Sequence, residues 1–273
     1  MTAHPKKKSE PTMAQQSELH ELYEKSVQAV DAEVEFLDET FRELRGRDAV
    51  SFREDFCGTA SAACEWVGSA SNRSAIGVDN DKDTLDWGRE HRVEKLPKAA
   101  RARLELRLDD VRTVETPPVD IVGAFNFSYF MFKTRDELRA YFEVVHKALN
   151  SDGLFFLDAF GGPEGMAVQK EKTKFKGFTY VWDQALYEPV TGRMVCHIHF
   201  KFPDGSKLKR AFTYDWRLWS LPEIRELLSE AGFTKVRVYW EGEDEDGECN
   251  GEYSESATGE ADPAWVAYIV AEK

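Results

Sequence analysis

The chain opens its periodic pattern at Ser17. From there to about Arg45, Leu19, Leu22, Tyr23, Val27, Val30, Val34, Leu37, Phe41 and Leu44 recur at steps of three and four. That spacing predicts an amphipathic helix, or two shorter ones in series, lying as an N-terminal cap. The pattern then alternates between strand and helix. "AVSFRED" runs into a small-residue helix start, "SAIGVDND" into a helix through Leu85 and Trp87, and "RLELRLDDV" and "VDIVGAFNF" follow as strands. Thr134 and Glu137 form a Thr-x-x-Glu capping box, with Leu138, Tyr141, Phe142, Val145 and Leu149 as the apolar stripe behind it, and "LFFLDAF" reads as a buried strand. Strands alternating with helices predict a mostly parallel sheet covered on both faces.

After residue 160 the alternation stops. "FTYVWDQALYEP", "RMVCHIHFKF" and "LKRAFTYDWRLW" are strand-like runs separated by "VTG" and "PDG", which predicts an inserted antiparallel β subdomain. Ser220 and Glu223 cap a further helix, "LPEIRELLSEAGF", and two closing strands, "TKVRVYW" and "AWVAYIVAEK", are joined by the acidic segment "EGEDEDGECNGEYSESATGEADP". The predicted organisation is a disordered tail over 1–16, a helical cap over 17–45, a doubly wound α/β domain over 46–160 and 216–273, and the insert over 161–215.

Composition narrows the function classes. A formal charge of -14 offers no basic field for phosphate backbones and argues against a nucleic-acid partner. The four cysteines, Cys57, Cys64, Cys196 and Cys249, have neither paired nor zinc-type spacing, as expected in a reducing compartment. The basic N-terminus has no apolar run behind it, and the longest near-apolar stretch, 121–132, is too short to span a bilayer, so a cytoplasmic protein away from membranes is expected.

The chemistry concentrates around "SFREDFCGTASAAC", residues 51–64. In an open parallel sheet, ligands bind beyond the carboxyl ends of the strands near the switch point. The tight "CGTA" turn stands at such a place, and its small residues let backbone N–H groups approach a ligand. Asp79 ends the second strand 21 residues after Gly58, where an acid can accept from both hydroxyls of a ribose. A nucleoside-bearing cofactor is expected.

These segments resemble the class I S-adenosylmethionine-dependent methyltransferases. "EDFCGTA" looks like that family's first motif, Asp-Leu-Gly-Cys-Gly-Thr-Gly, "IGVDND" its second, "LDDV" its third and "VDIVGAFNF" its fourth. The resemblance covers 50–160 and 216–273 and implies a Rossmann-like fold, a seven-stranded, mostly parallel sheet with an antiparallel last strand. It also implies S-adenosyl-L-methionine as cofactor. Residue by residue, it places Glu54 near the cofactor's amino group and Cys57, Gly58, Thr59 and Ala60 along its methionine and ribose side. Asp79 falls on the ribose, and Asn80, Asp110 and Val111 beside the adenine. Asn126 and Phe127 fall by the sulfonium. Phe56 and Ala60 stand where the motif has glycines, so a differently shaped loop is expected.

Arg53 and Asp55 stand where the motif is apolar. Strand alternation puts them on one face, opposite Glu54. They form either a buried ion pair or, with Arg53 reaching the methionine carboxylate, part of the cofactor site. For the acceptor, Tyr23 on the cap and Tyr129 beyond the fourth strand are the candidates. His197 and His199 share a strand face that reads as solvated rather than metal-binding, and no metal site is expected. A small-molecule acceptor, an amine among the expected classes, leads. A protein or RNA methyltransferase and a non-catalytic cofactor-binding protein are the alternatives.

Overall fold

The computed structural model describes residues 10–243 and 249–273. Its strands are β1 (Ser51–Asp55), β2 (Ser74–Asp79), β3 (Leu104–Leu108), β4 (Val119–Ala124), β5 (Leu149–Gly161), β6 (Gln169–Phe175), β7 (Phe178–Glu188), β8 (Arg193–Lys201), β9 (Lys207–Arg217), β10 (Lys235–Glu243), β11 (Cys249–Glu255) and β12 (Trp265–Glu272). The helices are α1 (Met13–Gln16), α2 (Leu19–Val27), α3 (Val30–Arg45), α4 (Ser61–Ser69), α5 (Lys82–His91), α6 (Lys98–Arg101), α7 (Arg135–Ala148) and α8 (Leu221–Glu230).

The large sheet has the order β11-β10-β12-β5-β4-β1-β2-β3. The first five strands pair in parallel, while β12 is antiparallel to both β5 and β10. The order reverses between β1 and β4, which puts a crevice at the carboxyl end of β1. Every residue of β4 is buried and β1 is buried from Phe52 onward, as a sheet covered on both faces requires. The seven strands expected from the sequence are joined by an eighth. Part of the acidic segment pairs with β10 as the edge strand β11. The remainder of that segment's first half, 244–248, lies outside the described residues.

The insert is a four-stranded antiparallel sheet, β6-β7-β8-β9. β6, "QKEKTKF", escaped the sequence reading because six of its seven residues are polar or charged and an edge strand needs no apolar face of its own. Met194, Cys196, Ile198 and Phe200 of β8, with Phe202 just beyond its end, are all buried. Met194 and Cys196 join the core of the main domain, while Ile198, Phe200 and Phe202 pack with Leu22 of α2. The insert therefore clamps the cap onto the sheet. Residues 10–16 depart from the expected tail: Thr12 caps α1, and the backbone N–H groups of Met13 and Ala14 donate to Asp204 and Ser206 at the β8–β9 turn. No helix among the described residues is long and apolar enough to cross a membrane.

Candidate active site

The loop after β1 is built from alternating left-handed residues: Phe56 at φ 56°, Gly58 at φ 54° and Ala60 at φ 59°. Two of the three carry a Cβ, at an intrinsic cost of about 1–2 kcal/mol each. The backbone thus keeps a shape that suits glycine at the two positions where the sequence departs from the family motif. Surrounding contacts hold it there. Phe56 packs edge-on against Tyr141 at 5.5 Å, and Ala60 is fully buried as the residue that opens α4. Ala60 has no side chain with which to cap that helix. Glu54 does so instead, its Oε2 accepting from the N–H of Ala63 at 2.8 Å.

Beside this loop lies a cavity of about 320 Å³, lined also by the cap and the insert. From β1 and its loop come Glu54, Asp55, Phe56, Cys57, Gly58 and Thr59, from β2 comes Asp79, and Asp81 and Thr84 follow at the start of α5. The segment after β4 contributes Phe125, Asn126 and Ser128. The cap adds His20, Tyr23, Gln28 and Glu33, and β9 adds Phe212 and Tyr214. Asp79 is oriented from within the protein, accepting from the N–H of Gly58 at 2.8 Å through one oxygen and from that of Asp81 at 2.8 Å through the other. Glu24 fastens the cap to the loop. It accepts from the hydroxyls of Thr59 at 2.7 Å and Ser61 at 2.9 Å, and it pairs with Arg92 of the segment after α5. Tyr23 of the cap and Tyr214 of the insert line the same space, and Tyr23 packs on Phe212 at 4.8 Å.

The electrostatics of the cavity are one-sided. Glu33 and Glu54 are each only 7% exposed, and no lysine or arginine lines the space. Burial pushes the Glu54 carboxyl up to about 8 and, with Asp158 adding repulsion, the Glu33 carboxyl up to about 7. Burial and Asp81 raise Asp79 as well, against the pull of the backbone N–H groups of Asp81, Gly58 and Asn80, while burial lowers the His20 imidazole. Nearby, Asp158 of β5 is driven up to about 7 by burial. Its two oxygens each accept at 2.8 Å from the N–H groups of Asn126 and Phe127, consecutive residues both held at φ 56°.

A shallow recess of about 50 Å³ shares Phe56 and Asp79 with the main cavity and is lined by Asn80, Asp110, Val111 and Phe132. Arg112 also lines it and binds the Asp110 carboxylate through its backbone N–H and its Nε, both at 2.9 Å, holding that carboxyl below its usual range. The chain therefore brings a ribose-type acid, a flanking recess and an acidic, apolar-walled cavity into one line. Those features fit a nucleoside that carries a cationic side chain.

Four residues placed at the site from sequence lie elsewhere. Arg53 is fully buried, its Nε and Nη2 donating to Asp55 at 2.7 and 3.1 Å, while Tyr141 donates its hydroxyl to the same carboxylate at 2.9 Å. It is a structural ion pair, and its guanidinium is spent before it reaches the cavity. Ala60 faces the core. Phe127 turns its ring away, against Phe160 at 4.8 Å. Tyr129 is fully buried and donates to the carbonyl of Asp158 at 2.6 Å. On the insert, His197 is buried against Thr213 at 2.9 Å and His199 bonds Asp183 at 3.0 Å, so that face is less solvated than expected. No metal-binding group of three ligands occurs among the described residues.

No protein-family model matches the chain, and no curated protein matches it by sequence. Solved structures do match it by shape. A methyltransferase from Clostridium acetobutylicum, described as S-adenosylmethionine-dependent, superposes with a TM-score of 0.66 at 14% identity, over 93% of this chain and 96% of its own. A SAM-bound amino pentose methyltransferase of calicheamicin biosynthesis from Micromonospora echinaspora gives 0.65 at 17% identity, over 94% and 97%. A sugar N-methyltransferase from Streptoalloteichus gives 0.61 at 16% identity, over 100% and 98%. The chain has the class I methyltransferase fold. The match spans the cap and insert as well as the sheet, since it leaves almost none of the chain uncovered.

Proposed function

We propose that this protein is an S-adenosylmethionine-dependent methyltransferase that methylates the amino group of a small molecule. One observation carries the reading. Two buried carboxyls without a basic partner, Glu33 and Glu54, face a single cavity that no lysine or arginine lines, while the third, Asp55, is already paired with Arg53. Uncompensated buried carboxylates are costly and call for cations from outside. The fold supports the cofactor, and of the similar structures one is named an amino pentose methyltransferase and another a sugar N-methyltransferase.

When bound, the cofactor supplies a methyl group on a positively charged sulfur. The residues of the chain hold and orient. Asp79 would accept from the ribose, and the recess at Asn80, Asp110 and Val111 would receive the base. Glu54, fixed by the N–H of Ala63, would take the amino group of the methionine part. Glu33 draws in the acceptor as its ammonium and takes one proton from it. With the cofactor bound, the lone pair freed by Glu33 would take over its methyl group, and the departing thioether would keep the electron pair of the bond that is lost. Tyr23, Tyr214 and Phe212 wall the acceptor and exclude water, which an in-line displacement of this kind chiefly needs.

Equilibrium binding comes first: S-adenosylmethionine and its demethylated product bind, a nicotinamide dinucleotide does not, and Asp79→Ala weakens the cofactor by a few kcal/mol at most. Labelled methyl transfer is then screened over pools of primary and secondary amines against matched alcohols. Amines are methylated, and Glu33→Gln lowers transfer by roughly 100-fold or more, in the range for a lost proton acceptor, with cofactor affinity nearly unchanged. Binding of neither nucleoside, or equal transfer to alcohols, ends the proposal.

A further inference from the structure

A second cavity, of about 290 Å³, opens between the insert and the carboxyl edge of the main sheet, and it shares no lining residue with the cofactor cavity. Its walls are the rings of Phe127, Phe160, Trp182 and Trp265. These rings are fixed. The indole N–H of Trp182 donates to Gln184 Oε1 at 3.1 Å, and the buried amide of Gln184 donates in turn to the carbonyls of Glu164 at 2.8 Å and Ala167 at 2.7 Å. Trp265 lies directly on the backbone of Gly161, where an added Cβ would come within 2.2 Å of its ring, so glycine at that position keeps the wall in place.

The polar capacity left for a ligand is almost all negative. Gln184 is committed, while the carboxylates of Glu164, Glu171 and Glu241 line the space with no basic residue among its lining. Glu171 accepts from Gln169 and Glu241 from Tyr253 and Gly251, which orients both and neutralises neither. Aromatic faces and carboxylates attract the same kind of guest, since the ring quadrupole and the formal charge both favour a cation.

We infer that this cavity binds an organic monocation with a compact apolar body, of the quaternary or alkylammonium type, at a site separate from the cofactor. The site meets the cofactor cavity through one peptide: Phe127 lines the one and Asn126 the other, both held by Asp158.

The full chain is titrated with choline and, in parallel, with its uncharged isostere 3,3-dimethylbutan-1-ol. Ring-current shifts of the ligand methyl protons and tryptophan fluorescence report binding. Choline binds about ten-fold tighter than the alcohol, in line with a desolvated cation over aromatic faces. Both Glu164 and Glu171 are exposed, so Glu164→Gln/Glu171→Gln leaves the fold intact. It removes most of the preference for choline without changing the alcohol, and Trp265→Leu weakens both ligands. Equal binding of the two, absence of choline binding, or choline affinity untouched by the double substitution overturns the assignment. Displacement of choline by S-adenosylhomocysteine does so as well, by placing it in the cofactor cavity. None of these outcomes depends on methyl transfer.

Discussion

The two faces of β1 treat buried charge in opposite ways. On one face Arg53 and Asp55 are completely enclosed and satisfy each other, with Tyr141 and Thr116 completing the set. On the other, Glu54 is nearly as deeply buried yet has only the Ala63 N–H, and its neighbour across the cavity is a further carboxyl, Glu33. Burial alone does not mark a functional charge. What separates the faces is the presence of a partner. The closed pair is part of the fold, and the open pair faces the cavity without a counter-charge.

The sharpest way to break this contrast is Arg53→Met. It strands the Asp55 charge in the core, so stability falls by about 3–5 kcal/mol, read as a shift in the urea midpoint. Replacing Arg53 and Asp55 together with apolar residues of similar volume recovers most of that loss. A stable Arg53→Met protein with weakened cofactor binding would return the guanidinium to the site.

The open pair predicts a pH dependence of the ligand-free protein. Glu33 and Glu54 titrate near 4.5 when unfolded and at about 7 and about 8 when folded, so the native state holds more protons between these limits. Stability therefore declines as pH rises from about 4.5 to 8 and levels off above it. Glu33→Gln and Glu54→Gln each flatten that decline, by up to a few kcal/mol at pH 9. A cationic ligand has the reverse signature. Its binding strengthens over the same window and releases protons near neutrality, which calorimetry in buffers of different ionisation enthalpy detects. A flat stability profile in the wild type would mean the carboxylates are not confined as the cavity indicates.

The smallest effect concerns the loop between the faces. Ala60→Gly relieves a left-handed alanine while adding freedom to the unfolded chain, for a net gain of up to about 1 kcal/mol in chemical denaturation. A loss instead would show that the Ala60 methyl contributes more in the core than its backbone costs.

Much of this molecule is written locally. Capping boxes at Thr134 and Ser220, the period-two face of β8 and the order of strand and helix segments all rest on neighbours within a few residues, and each has its counterpart in the structure. Asp79 and the "CGTA" turn were legible for the same reason. Glu33 was legible in principle, because it falls on the apolar stripe of α3 with Val30, Val34 and Leu37, where a carboxyl is out of place. Phe212 and Tyr214 alternate with Trp216 along β9, yet nothing in that alternation says what the aromatic face covers.

Reach and closure belonged to the tertiary structure. Alternation assigned Arg53 a face, but only the enclosing positions of Asp55, Thr116 and Tyr141 fixed where its guanidinium ends. Phe56 and Ala60 keep left-handed backbone that their residue types disfavour, since packing across the sheet outweighs about 1–2 kcal/mol of local strain. Tyr129 and Phe127 turned inward and aside because Asp158, some thirty residues away, clamps the turn that carries them. A sequence determines which groups a segment offers. Which of them remain unpartnered is settled only when distant segments close around them, and here that decided which carboxylates face the cavity without a counter-charge.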